Sequence, residues 1–195
     1  MLKTDLSKAV ELLKKGEIIV YPTDTQYALG ADIFNEDSIK RVFTVKQRPF
    51  NNPIPIAVSS YKEILDVAYK ENNLKKIVDF FLPGKLTIIL KKKENISNLI
   101  TSGLEKIAIR IPDNPVALRL TKEIGPLTVT SANIHGEKTQ DSINKIKLIF
   151  KKEIKYYIDY GVLNSPPSTI IDLTYDVPKL IREGEIKLGE ILAVI

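Results

Sequence analysis

Four cations on three stretches of this chain could grip phosphate or carboxylate oxygens: Lys46 and Arg48 in KQRPFNNP, Arg110 in IAIRIP and Arg182 in KLIREGE. Lys46 and Arg48 are separated by one residue and followed by Pro49, which cannot continue a helix, so the pair stands where a helix ends and anionic oxygens can be bound. Taken alone, the same stretch also describes a solvated basic helix terminus complementing the helix dipole. Arg110 lies on an otherwise apolar strand and needs a partner, either a carboxylate of the fold or an anionic ligand. Ser131 and Asn133, one residue apart in LTVTSAN, form a small-residue turn that by itself signals only a turn. The chain offers no Ser-His-Asp arrangement to compete with these groups, and its single histidine, His135, leaves no His cluster for a metal.

Composition removes several function classes. With 195 residues, 44% hydrophobic and 27% charged, the chain is expected to form one globular domain over residues 1–195. Cysteine is absent, so there is neither a disulfide framework nor a thiolate metal site, and no protein-ligated metal is expected. No apolar run reaches the ~20 residues of a membrane span, and MLKTDLSKAV lacks a signal-peptide core, which predicts a cytoplasmic protein without a membrane partner. A net charge of +5 suits a phosphate-rich partner, a nucleotide or a nucleic acid, and equally suits plain solubility. PGKLT fails as a phosphate loop because Asp79 stands where its first glycine would be, and no G-x-G-x-x-G occurs.

The elements that must position these residues follow from periodicity. Leu6, Ala9, Val10 and Leu13 predict a surface helix stopped at Gly16; Glu17 to Pro22 reads as a buried strand, and TDTQYALGAD as a polar loop entering a second strand. Asn35 or Asp37 caps a helix whose Ile39, Val42, Phe43 and Lys46 share one side. IPIAV is a strand, Tyr61 to Ala68 and Leu74 to Leu82 are helices, and Leu86 to Leu90 is a strand whose following Lys91, Lys92 and Lys93 read as a solvated loop. Ile107 to Pro112 is a strand, Val116 to Ile124 a helix, Leu127 to Asn133 a strand entering a turn, and about Ser142 to Lys151 a helix. IKYYIDY, STIIDLT and a last strand ending in KLIREGE complete the chain. The order predicts an α/β or α+β fold on a mixed, twisted sheet.

YPTDTQYALG, KQRPFNNP, PGKLT, IAIRIPDNP, TSAN, STIIDL and IREGE occur in the order and at roughly the spacing of the YrdC-like family of threonylcarbamoyl-adenylate synthases, a resemblance covering about Gly16 to Gly184. The resemblance implies a YrdC-like twisted mixed sheet flanked by helices, with a deep basic cleft. It also implies a nucleotidyltransferase that makes threonylcarbamoyl-AMP and pyrophosphate from L-threonine, bicarbonate and ATP, for N6-threonylcarbamoyladenosine in tRNA. Lys46 and Arg48 are then the catalytic pair facing the nucleotide phosphates and the carbamate. Arg48, Asn52, Asn133 and Arg182 bind ATP, while Thr23, Thr25, Arg110, Ser131 and Ser168 line the threonine side. A reaction that joins two anions and expels a third needs cations more than a nucleophile. Mg²⁺ would be held by ATP phosphates and water. Implied partners are the downstream tRNA threonylcarbamoyl transferase machinery and a contact to tRNA or double-stranded RNA.

The chain departs from the family pattern at two places. Ala57 stands where many members carry histidine, and His135 follows the TSAN turn where serine is common; His135 reads as an exposed loop residue rather than an acid or base. Gln26 and the tail PPSTIIDLTYDVPKLIREGE are similar to a YciO-like branch, whereas the retained S-x-N favours the synthase. A double-stranded RNA or tRNA-binding module without catalysis is the alternative from another class, and would show salt-dependent affinity with no dependence on threonine.

Overall fold

Residues 6–195 are described by the structure, a computed structural model; residues 1–5, on which the reading of the N-terminus partly falls, lie outside the described residues. The first helix, α1 (Ser7–Lys14), buries Ala9, Val10 and Leu13 and runs into Gly16 at φ +76°. That positive φ suits glycine, which ends the helix and turns the chain into β1 (Ile19–Pro22). After the TDTQ turn comes β2 (Tyr27–Gly30), then α2 (Glu36–Lys46), where of the two candidate caps Asn35 is the N-cap, accepting from Ser38 N, and Asp37 lies in the first turn. Ile39, Val42, Phe43 and Lys46 are all buried along one side of α2, and Gln47 closes it in the left-handed conformation at φ 50°.

The middle of the chain adds β3 (Ile56–Ala57), α3 (Tyr61–Val67), α4 (Leu74–Phe81), β4 (Leu86–Lys91), the short α5 (Asn98–Thr101), β5 (Lys106–Arg110) and α6 (Pro115–Ile124). Asn114 caps α6 through Val116 N and Ala117 N, with Pro115 at the first helical position. Then follow β6 (Leu127–Thr128), β7 (Thr130–Ser131), α7 (Ile143–Phe150), β8 (Tyr156–Tyr157), β9 (Thr169–Asp172), β10 (Lys179–Arg182) and α8 (Leu188–Leu192).

These strands form two sheets rather than one. A four-stranded sheet runs β7-β2-β1-β8 and a six-stranded sheet runs β10-β9-β4-β5-β3-β6, both mixing parallel and antiparallel pairs. The expected single strand Leu127 to Asn133 is where they separate: β6 pairs with β3 in the larger sheet, and β7 pairs with β2 in the smaller. Thr128 stitches them at that point. Its Oγ1 accepts from Ala31 N at 3.0 Å and donates to Leu29 O at 2.8 Å, while its carbonyl accepts from Tyr21 Oη at 2.9 Å.

One hydrophobic cluster joins Val20, Phe43, Ile56, Ile88, Ile109 and Ile171 between the sheets and α2, α3, α4 and α7; a second packs α1 and α6 against the outer face of β1. Each fully buried leucine or isoleucine contributes about 1.5–3 kcal/mol, so these two clusters are the main source of stability. Two sequence expectations change here. IPIAV and IKYYIDY shrink to two-residue strands. Of the run Lys91 to Lys93 only Lys91 is exposed as a solvated residue: Lys92 is 8% exposed and donates to Ile96 O, and Lys93 Nζ donates to Leu65 O. The lysine stems cover apolar surface while their ammonium groups satisfy carbonyls at the strand exit.

Candidate functional site

A cavity of about 330 Å³ opens between the two sheets, and its walls come from the ends of elements distant in sequence. Thr23, Thr25 and Gln26 arrive from the β1–β2 turn, Arg48 from the residues after α2, and Arg110 from the end of β5. Ser131 comes from β7, Thr87 from β4, Ser168 from just before β9 and Arg182 from the end of β10.

The β1–β2 turn is built by its own hydroxyls. Thr23 Oγ1 donates to Gln26 O at 2.7 Å and accepts from Thr25 N and Gln26 N, which fixes the turn locally. Thr25 Oγ1 is thereby presented to Arg110, whose Nη1 donates to it at 3.1 Å. Nη2 of the same guanidinium donates to Asp24 Oδ1 at 2.6 Å and to Gly84 O at 3.3 Å. The partner that the sequence demanded for Arg110 is therefore a carboxylate of the fold. Ala57 is fully buried and sits in register with Arg110 across β3 and β5.

Arg182 owes its place to an irregularity. Between Leu180 and Arg182 the β9–β10 pairing shifts register, a bulge of the kind that re-aims a side chain beside a site. Arg182 Nε and Nη2 donate to Ser168 O at 3.1 and 2.8 Å, and Ser168 Oγ lies 2.8 Å from Thr87 Oγ1. Arg48 is held by carbonyls alone on this loop, its Nε donating to Asn52 O and its Nη2 to Pro53 O, both at 2.9 Å. Burial draws down the pKa of Arg48, and burial and then Arg110 draw down that of Arg182; guanidinium groups remain charged under such shifts.

Lys46, Asn52 and Asn133 do not line the cavity; Lys46 and Asn133 hold Ser131 of its wall from behind, and Asn52 contacts Arg48 through its carbonyl. Lys46 is 2% exposed and its Nζ donates to Ser131 O at 2.5 Å, Asn133 O at 2.9 Å and Asn133 Oδ1 at 2.9 Å. Burial first, and then the neighbouring charge of Arg48, pull its pKa to about 7. Asn133 has no idle amide atom: Oδ1 also accepts from Ser131 Oγ at 2.6 Å, and Nδ2 donates to Ile134 O and Glu137 O. The imidazole of His135 is exposed, with Nδ1 3.4 Å from Arg48 Nη1 and Nε2 3.2 Å from the Asn52 amide.

The structure thus gathers Thr23, Thr25, Arg48, Arg110, Ser131, Ser168 and Arg182 around one cavity, and brings in two residues that sequence reasoning gave no role: Thr87 on the wall and Asp24 as the partner of Arg110. Asp24 was visible as the carboxylate of PTDT; Thr87, inside an apolar strand, carried no signal. Among the described residues no group of three or more acidic or histidine side chains could hold a metal ion, and no helix is long and apolar enough to cross a membrane.

The chain is similar to known proteins over most of its length. Residues 11–184 match the Sua5/YciO/YrdC family, described as "Telomere recombination". A Methanocaldococcus jannaschii protein provisionally named threonylcarbamoyl-AMP synthase is 42% identical over 94% of this chain and 89% of its own length. The Pyrococcus abyssi threonylcarbamoyl-AMP synthase is 36% identical over 96% of this chain, which spans only 56% of that relative. Among solved structures, P. abyssi Sua5 complexed with L-threonine superposes with a TM-score of 0.91 at 34% identity, covering 96% of this chain and 56% of that one. Escherichia coli YciO gives 0.86 at 31% identity, covering 94% and 90%. Matched from near its start to Gly184 and superposed on members of two branches, the chain belongs to the Sua5/YciO/YrdC family.

Proposed function

We propose that this chain is a threonylcarbamoyl-AMP synthase, a nucleotidyltransferase that converts L-threonine, bicarbonate and ATP to threonylcarbamoyl-AMP and pyrophosphate. The observation that carries the reading is the division of charge in one cavity. Arg110 sits against Asp24 and Thr25 at one place, and Arg48 and Arg182 stand elsewhere on the wall with no carboxylate partner among the described residues, Arg48 on carbonyls and the His135 ring and Arg182 on Ser168. Such a cavity suits a monocarboxylate beside a polyphosphate.

The chemistry asks little more of the protein. The amine of threonine adds the carbon of bicarbonate, with loss of water, to give a carbamate. A carbamate oxygen then attacks the α-phosphorus and pyrophosphate leaves. Arg110 and Thr25 orient the threonine carboxylate, and the Thr87–Ser168 hydroxyl pair meets the amino-acid side chain. Arg48 and Arg182 neutralise the phosphates as charge moves to the leaving group. Lys46 acts through the turn that it holds, and Asn52 and Asn133 shape the nucleotide side. The cavity wall offers no free carboxylate among the described residues, so Mg²⁺ enters as part of the MgATP substrate. The product is an activated acyl group for a tRNA threonylcarbamoyl transferase, and the protein works in the cytoplasm.

Pyrophosphate and adenylate release, followed with threonine, serine, valine or no amino acid, tests the proposal. Threonine-dependent adenylate supports it. The likeness to YciO over 90% of that chain favours one second reading, a paralogue acting on another substrate, which predicts ATP binding without threonine-dependent turnover.

A further inference from the structure

The contact between Asp24 and Arg110 uses only part of each partner. Asp24 Oδ1 takes Arg110 Nη2 at 2.6 Å, yet Asp24 Oδ2 and Arg110 Nε are buried with no hydrogen-bond partner. The two side chains are 8% and 6% exposed. A desolvated ion pair with an idle donor and an idle acceptor is expensive to keep, and such orphaned groups in folded proteins ask for a reason.

A reason emerges when the three arginines of the cavity are compared. Arg110 is compensated by a carboxylate. Arg48 donates to the carbonyls of Asn52 and Pro53, and Arg182 to Ser168; neither has an acidic partner among the described residues. All three line the same space. A polyphosphate is drawn by net positive charge, which the Arg110–Asp24 pair lacks and the other two arginines supply. A singly charged carboxylate needs less field and more geometry, and Arg110, fixed by Asp24 at Nη2 and by Thr25 at Nη1, offers it a donor of set direction in the second hydrogen of Nη1.

We propose that Asp24 is a specificity-determining positioning residue that sorts anions within the cavity. By compensating Arg110 and fixing its guanidinium, it keeps that position for a monocarboxylate and leaves polyphosphate to Arg48 and Arg182. Its assignment to threonine and ATP rests on the proposed synthase reaction; the sorting itself is a property of any carboxylate and polyphosphate pair.

Calorimetric titration with inorganic pyrophosphate and with L-threonine, on wild type, Asp24→Asn, Asp24→Ser and the double variant D24N/R110Q, tests the inference. Folded Asp24→Asn is expected to bind pyrophosphate about tenfold tighter and threonine about tenfold weaker, and D24N/R110Q to lose the pyrophosphate gain. A merely structural role weakens both ligands together. Asp24→Ser is read in the same way and decides the matter if Asp24→Asn does not fold. Pyrophosphate affinity within twofold of wild type in the folded variant overturns the inference. A pyrophosphate gain in a protein whose wild type binds no threonine leaves the sorting standing and defeats the synthase reading instead.

Discussion

Lys46 Nζ lies 2.9 Å from both the backbone oxygen and Oδ1 of Asn133, 87 residues further along the chain. The K-x-R and S-x-N stretches are therefore one physical unit. The last residue of α2 reaches through the wall and holds the turn that follows β7, and His135 N returns a hydrogen bond to Lys46 O at 2.8 Å. An ammonium can satisfy several acceptors at once, which no apolar residue of the same length can do.

Lys46→Met is expected to lower stability by about 2 kcal/mol, because three oxygens lose their donor while the cost of burying an uncompensated charge is relieved. Urea unfolding measures it. Lys46→Arg is not expected to restore the wild-type value, since the site is closed around an ammonium and a planar guanidinium presents its donors in a different geometry.

The same site gives a pH dependence whose sign is fixed. The folded protein releases the Lys46 proton near pH 7, because of burial and then Arg48, whereas the unfolded chain keeps it to about 10.5. The unfolded state thus binds more protons between those values, and raising the pH through that window stabilises the fold. Wild type is expected to gain stability relative to Lys46→Met as pH rises from 7 toward 10, measured by urea unfolding at stepped pH.

Arg48→Ala and Arg182→Ala are each expected to weaken ATP binding at least tenfold, the scale of a lost charge-assisted hydrogen bond of about 1.5–3 kcal/mol. Threonine binding is expected to change by less than threefold in both. Separate titrations of the two ligands check the split.

Thr25→Val removes the hydroxyl that accepts from Arg110 Nη1 and keeps the volume. Ser168→Ala leaves Thr87 Oγ1 without the hydroxyl that stands 2.8 Å away. The first is expected to raise KM for threonine about tenfold with kcat little changed. The second is expected to reduce the preference for threonine over valine, because a site that hydrogen-bonds a hydroxyl rejects the analogue lacking it. Steady-state kinetics with both amino acids measure each effect.

Gly184→Ala is expected to cost about 3 kcal/mol, since a Cβ there would press on Pro167 O and Thr169 N, rigid backbone on either side of Ser168. Thermal unfolding would show a lowered midpoint, with Ser168 and Arg182 displaced together.

Much of this organisation was legible in the sequence because it follows local rules. The helical face Ile39, Val42, Phe43 and Lys46, the Asn35 cap and the Gly16 stop depend on neighbours a few residues apart, and each is where periodicity placed it. The division into two sheets was not legible. Leu127 to Asn133 reads as one strand from its own composition; the change of sheet goes with tertiary bonds of Thr128 to Leu29, Ala31 and Tyr21, which lie about a hundred residues earlier in the chain. The site shows the same contrast. Charged residues announced themselves singly, but the pairing of Asp24 with Arg110 depends on how β2 and β5 are brought together, and the bulge at Ile181 that aims Arg182 is a property of pairing rather than of sequence.

The synthase proposal is tested most directly by ATP turnover with Mg²⁺ and bicarbonate, reading pyrophosphate and adenylate in the presence and absence of L-threonine. The account predicts adenylate that requires threonine, is not supported by valine, and falls at least tenfold in folded Arg48→Ala and Arg110→Ala proteins. ATP binding without any amino-acid-dependent adenylate would contradict it.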